Sequence, residues 1–104
     1  MSGIGEWEIV DSGVTRKIHP TGKKLMMMEV EFEVGAVGKV HSHPHEQLTY
    51  CLKGKLEFKL NEKIHTLSKG ESLYIPSNTE HGVIALEPSS LLDTFTPLRE
   101  DLLS

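Results

Sequence analysis

The sequence predicts an all-β domain, a barrel or sandwich of the jelly-roll type. Three observations indicate this fold class. Helical periodicity is nearly absent, short runs rich in Val, Ile, Leu, Phe and Tyr recur along the chain, and Gly, Pro, Asn or Ser separate them. Many short strands joined by tight turns are typical of jelly rolls. At 104 residues the chain has the length of one domain, so we expect residues 1–104 to form a single domain.

Five strands are predicted in the first half of the chain, where turn residues at 20–22, at Gly35 and at 53–55 separate the apolar runs. In order they are Trp7–Val10, Val14–Ile18, Leu25–Val34, Lys39–His41 and Leu48–Leu52.

The second half contains five more predicted strands, separated by turn residues at 61–62, 69–70, 77–78 and 87–90. In order they are Leu56–Leu60, Lys63–Leu67, Ser72–Ile75, Val83–Leu86 and Leu91–Thr96. Leu56–Leu60 alternates apolar and polar residues, the pattern of a half-buried antiparallel strand. We expect the tail, Leu98–Ser104, to form a short helical turn or to pack along the barrel.

Composition excludes several kinds of partner. The chain carries 11 Lys and Arg against 15 Asp and Glu, a net charge of −4, and it has no basic stripe, so we expect no nucleic-acid partner. No apolar run approaches the ~20 residues that cross a bilayer, so we expect no membrane partner. No signal peptide is visible, and the single Cys51 fits a reducing compartment. We therefore expect a cytoplasmic protein.

A metal site is indicated by His41 and His43. Alternate residues of a strand project to the same side, so these two imidazoles can share one divalent ion. The Gln47 side-chain oxygen and a third imidazole from His81, distant in sequence, are available to complete the site. Three imidazoles and one oxygen suit Ni, Zn, Fe or Mn. The alternative is that His41 and His43 are ordinary surface or core histidines.

The run from Leu91 to Thr96 places Asp93 and Phe95 on the same strand face as Leu91. Burying a lone carboxylate is costly, so Asp93 should face a polar pocket. Apolar neighbours there would raise its pKa toward the range useful for a proton donor. The alternative is a strand-end Asp that pairs with Arg99 or with a turn amide.

These residues resemble the two signature motifs of the cupin family. The first motif, residues 35–54, is matched by Gly35, His41, His43, Gln47 and Gly54, with Gln where Glu is usual. The second, residues 70–85, is matched by Gly70, Pro76 and His81, with Ala85 in place of Asn. The resemblance implies a double-stranded β-helix (jelly-roll) barrel with one divalent metal ion at His41, His43, Gln47 and His81.

The chain resembles more closely the small cupins of pectin and alginate breakdown, the KdgF type. The likeness includes residues 92–101, which a generic cupin need not carry. It implies a metal-dependent enzyme that opens 4-deoxy-4,5-unsaturated monouronates to linear 5-keto-4-deoxyuronates. Asp93 would be the catalytic acid/base, and Phe95 and Arg99 would line the sugar site. Arg16 is a second, weaker candidate for the substrate carboxylate.

Alternatives remain for these roles. Arg99 could simply form a surface ion pair with Glu100 or Asp101, and Phe95 could simply pack in the core. The whole protein could be a non-catalytic sugar or metabolite sensor, an iron dioxygenase, a sugar isomerase or a purely structural jelly roll. Small cupins usually dimerise, so we expect a homodimer that takes a small sugar acid.

Overall fold

The strands and the helix are those of a computed structural model that describes residues 3–103. The two ends of the predicted domain, residues 1–2 and Ser104 of the tail, lie outside the described residues. The strands are β1 Trp7–Asp11, β2 Val14–Ile18, β3 Met26–Phe32, β4 Val37–His41, β5 Glu46–Lys53, β6 Lys55–Leu60, β7 Lys63–Ser68, β8 Ser72–Ile75, β9 His81–Ala85 and β10 Ser89–Thr96. One short helix, α1 Glu100–Leu103, follows them.

The strands form two antiparallel sheets. The larger has six strands in the order β1-β2-β3-β10-β5-β8, and the smaller has four in the order β4-β9-β6-β7. The all-β prediction is therefore confirmed. In the larger sheet β10 and β5 are neighbours, and in the smaller sheet β4 and β9 are neighbours. Residues of these four strands, many of them far apart in sequence, meet in the space between the sheets.

The core lies between the sheets because strands such as β3, β5 and β10 turn alternate side chains inward. On β3 every second residue from Met26 to Phe32 is buried, and β10 shows the same alternation from Leu91 to Phe95. The buried apolar side chains are Val14, Ile18, Met26, Met28, Val30, Phe32, Ala36, Cys51, Leu56, Phe58, Leu67, Ile75, Ala85, Leu91 and Phe95. Three polar residues, Gln47, Thr49 and Asp93, are buried on the same inner face of β5 and β10.

Gly54 shows why the first motif ends in glycine. It joins β5 to β6 with φ +85°, a conformation that residues with a Cβ rarely adopt. A Cβ added there would collide with the carbonyl oxygen of Pro88 and with the hydroxyl oxygen of Ser89. Gly54 thus lets the turn between β5 and β6 pack directly against the start of β10.

Most differences from the predicted strands are at their ends. The predicted strand Leu25–Val34 is shorter in the structure, because Leu25 lies outside β3 and Val34 belongs to a turn that ends at Gly35 with φ +80°. Leu86 likewise lies beyond β9, which begins earlier than predicted, at His81. Within the described part of the tail, residues 98–103, the helix covers residues 100–103.

The prediction that alternation along a strand brings His41 and His43 together is wrong. His41 ends β4, whereas His43 lies in the loop between β4 and β5, so alternation along a single strand does not explain why their rings meet. The loop itself turns His43 inward, and the residue is buried.

Candidate metal centre and acid–base site

Three imidazoles converge at one end of the space between the sheets. His41 and His81 face each other across the β4–β9 pairing, and the loop residue His43 completes the cluster. One ring nitrogen from each of the three lies within 4.8 Å of those of the other two. The ring centroids of His41 and His81 are 4.3 Å apart. Such a cluster can hold a metal ion.

Backbone hydrogen bonds fix the orientation of all three rings. The Nδ1 atoms of His41, His43 and His81 lie 2.8, 3.1 and 2.9 Å from backbone carbonyl oxygens. A carbonyl oxygen only accepts, so each Nδ1 carries the proton. Each Nε2 therefore keeps its lone pair, which is the arrangement found in metal-binding histidines.

Electrostatics keep the two buried rings neutral. Burial lowers the pKa of His81 to about 4. Burial, followed by the nearby charge of Arg99, also lowers the pKa of His43. Neutral imidazole is the form that binds metal ions.

Gln47 reaches the cluster from β5. Its Oε1 lies 3.0 Å from Nε2 of His43, and its Nε2 donates to Thr49 Oγ1 at 2.8 Å and to Asp93 Oδ1 at 3.2 Å. Because Nδ1 of His43 already carries the ring proton, two lone pairs face each other across the first of these contacts. A cation between them would make that contact attractive. The donor set of three imidazoles and one amide oxygen therefore fits a divalent metal ion.

Asp93 presents a buried carboxyl group beside Gln47. It lies on β10 directly opposite Thr49 of β5, and Thr49 Oγ1 donates to Asp93 Oδ1 at 2.6 Å. Burial raises the pKa of Asp93 to about 6, and the hydrogen bonds from Thr49 and Gln47 oppose the rise. The inward orientation expected of Asp93 and Phe95 is observed, since both are buried.

Arg99 and Phe95 both border the inner cavity described below, and Phe95 is also packed in the core, as its alternative interpretation expected. The guanidinium carbon of Arg99 is 5.3 Å from the centroid of the Phe95 ring. Arg99 also donates to Asp101 from Nε at 3.0 Å and from Nη2 at 2.8 Å, so the ion pair considered as an alternative is present. The same guanidinium borders the cavity described next, so the ion pair and the cavity position coexist.

Two adjoining cavities share His41 and Arg99 in their walls. The inner one, about 130 Å³, is also bordered by Gln47, His81 and Asp93. The outer one, about 340 Å³, includes Arg16 in its wall. Arg16 donates from Nε to Glu8 at 2.7 Å, so it lies at the outer opening with its charge already paired.

Sequence reasoning missed Thr49, which is 0% exposed and bonded to both Gln47 and Asp93. The only local signal was a threonine hydroxyl group within the predicted strand Leu48–Leu52, whose other residues are hydrophobic. His45 follows His43 closely in sequence but lies outside the three-histidine cluster found among residues 3–103. Its Nε2 bonds the carbonyl oxygen of Leu98 at 3.0 Å.

Two antiparallel sheets with three converging imidazoles at one end define a β-barrel protein with a candidate metal site, and comparison with known proteins agrees with this class. The sequence model of the cupin domain matches residues 28–95, and the chain belongs to the cupin family. No helix among the described residues has the length and apolar character needed to span a bilayer.

Within the family, the chain is similar to KdgF proteins. It is 38% identical over 99 residues to the pectin degradation protein KdgF of Dickeya dadantii (strain 3937), covering 93% of this chain and 90% of that protein. The structure of KdgF from a Halomonas species superposes with a TM-score of 0.89 at 39% identity, covering 93% of this chain and 92% of the other. An RmlC-like cupin from Shewanella frigidimarina superposes with a TM-score of 0.89 at 33% identity, covering 94% and 88%.

Proposed function

We propose that this cupin is a metal-dependent enzyme that opens 4-deoxy-4,5-unsaturated monouronates, products of pectin and alginate breakdown, to linear 5-keto-4-deoxyuronates. The observation that carries the proposal is the buried carboxyl group of Asp93, which borders the same small cavity as His41, His81 and Gln47. Similarity to a protein named for pectin degradation supports the choice of substrate.

The proposed metal ligands are His41, His43, Gln47 and His81, which suit one divalent ion such as Ni, Zn, Fe or Mn. When bound, that ion supplies Lewis-acid polarisation of the substrate oxygens. All four donor groups are neutral, so the protein leaves the positive charge of the ion undiminished. A carboxylate in place of Gln47 would reduce it.

Substrate binding is assigned to Arg99 and Phe95, which both border the inner cavity. The guanidinium of Arg99 takes the uronate carboxylate by charge-assisted hydrogen bonds, and the face of Phe95 positions the sugar ring. Arg16, paired with Glu8 in the outer cavity wall, is the weaker candidate for the same carboxylate.

Asp93 acts as both the acid and the base of the proposed reaction. The substrate is a cyclic enol ether, so the Asp93 carboxyl group gives its proton to C4 while water adds at C5. The water returns a proton to the Asp93 carboxylate, which regenerates the acid. The hemiketal formed at C5 then opens to the linear ketone. General acid–base catalysis of this kind contributes typically about 10²–10⁴-fold to the rate.

The ultraviolet absorbance of the enol ether tests the proposal. Metal-loaded protein should remove the absorbance of unsaturated galacturonate faster than buffer does, and chelator-treated protein should not until metal is restored. A rate equal to that of buffer with metal-loaded protein would defeat the proposal. Binding of the sugar without product would indicate a sensor, and oxygen consumption would indicate a dioxygenase.

A further inference from the structure

We propose that Thr49 is a positioning residue of the metal centre: it orients the Gln47 amide so that the carbonyl oxygen, and not the NH₂ group, faces His43. The inference rests on the metal site of the proposed function. It concerns a side chain that is not one of the four proposed ligands and that stands at a position which the first cupin motif leaves unspecified.

The burial of Thr49 is the first support. Its hydroxyl is fully buried, and a buried hydroxyl without a partner costs about 1–3 kcal/mol. Within residues 3–103, its side-chain hydrogen bonds go to Gln47 and Asp93 and not to a backbone group. The hydroxyl therefore makes its hydrogen bonds to side chains of the site and not to the backbone of the sheet.

The directions of the hydrogen bonds give the second support. Thr49 has one hydroxyl proton, and it goes to Asp93 Oδ1 at 2.6 Å. The oxygen of Thr49 is then free to accept, and it accepts from the Gln47 NH₂ group at 2.8 Å. With its NH₂ group held on this side, Gln47 must turn its oxygen toward His43 Nε2, 3.0 Å away.

The competing orientation shows what Thr49 prevents. An amide rotated by half a turn would present an N–H donor to the lone pair of His43 Nε2, and its NH₂ group could not bind a cation. Asp93 also accepts from the Gln47 NH₂ group, but at 3.2 Å, so removal of Thr49 Oγ1 deletes the shorter of the two bonds. Partners that orient metal ligands are typically worth about 10–100-fold in metal affinity.

The test is the dissociation constant for Zn²⁺ or Ni²⁺, measured by competition with a chromophoric chelator. Thr49→Val, which replaces the hydroxyl by a methyl group of similar size, should weaken binding about tenfold or more, whereas Thr49→Ser, which keeps the hydroxyl, should stay within about twofold of the wild type. Thr94→Val is the matched control, because Thr94 lies on β10 and donates to the Leu48 carbonyl oxygen outside the core.

A double-mutant cycle separates orientation of the amide from general packing. In a Gln47→Ala background no amide remains to be oriented, so Thr49→Val should then have little further effect. Equal loss in both backgrounds, or unchanged affinity in folded Thr49→Val, would overturn the inference. If Thr49→Val does not fold, Thr49→Ala is measured in the same way. The affinity measurements use no substrate, so they test the role of Thr49 even if the wild type fails the ring-opening assay. Unchanged metal affinity in Thr49→Val would likewise leave the proposed ring-opening activity untouched.

Discussion

Arg99, which borders the inner cavity, takes part in two interactions. Its Nε and Nη2 atoms are bonded to Asp101, and its guanidinium lies over the Phe95 ring. A guanidinium has five N–H donors, so donors remain for a substrate carboxylate after Asp101 has used two. The side chain is only 11% exposed, so Asp101 and Phe95 hold it in one orientation.

We predict that Arg99→Lys raises KM for unsaturated galacturonate by about tenfold or more. A lysine ammonium cannot reproduce the planar, two-point contact, and hydrogen bonds to charged groups are worth about 1.5–3 kcal/mol. Arg16→Lys is the matched control, with an expected change below about threefold because Arg16 is already paired with Glu8. Steady-state kinetics measure both. A larger effect at Arg16 would move the carboxylate site to the outer cavity.

How far the site could be predicted depends on the kind of signal each residue gives. His41, His43 and His81 stand at motif spacings, and Asp93 stands out as a charge among inward-facing apolar residues, so the sequence singles them out. Thr49 does not stand out. Its role follows from the register that sets it opposite Asp93, and a cross-strand register is not encoded in either strand alone.

At the scale of elements, strand identity was more predictable than strand limits. Alternation and turn residues located ten strands, but the ends depend on neighbours distant in sequence. β9 begins at His81 because His81 pairs with His41 of β4. β5 extends back to Glu46 because Glu46 pairs with Thr96 of β10. The loop conformation that brings His43 to the cluster also depends on tertiary packing.

We predict that Gly54→Ala destabilises the fold much more than Gly70→Ala. Both glycines have similar positive φ values, +85° and +89°, so the backbone strain is matched. A Cβ at Gly70 meets nothing within 4 Å, whereas one at Gly54 collides with Pro88 and Ser89. Overpacking typically costs about 1–3 kcal/mol, so the midpoint of thermal unfolding should be lower for Gly54→Ala. Equal midpoints would show that strain alone explains the glycine.

At the scale of the whole molecule, the outer face of the six-stranded sheet carries exposed apolar side chains. Leu48 and Tyr74 are paired across β5 and β8, and Tyr50 lies on the same face of β5. Contiguous exposed apolar residues of this kind mark interaction sites in many proteins. They support the expected homodimer, which is still a prediction.

We predict a particle of twice the 11.6 kDa chain mass in light scattering, converted to monomer by Leu48→Glu. Ile64→Glu is the matched control, because Ile64 is 55% exposed, as is Leu48, but lies on β7 in the other sheet. The same mass for wild type and Leu48→Glu would place any interface elsewhere. A wild-type mass equal to that of one chain would show that the protein is a monomer and contradict the prediction.

The central claim is that Asp93 delivers the proton from across the metal cluster, and the ring-opening rate of Asp93→Asn tests it most directly. The asparagine keeps the size of the side chain but has no acidic proton to give. We predict that its rate on unsaturated galacturonate falls to that of buffer while metal content stays at the wild-type level. Glu57→Gln, on β6 away from the cavity walls, should keep full activity. Wild-type turnover in metal-loaded Asp93→Asn would contradict the account.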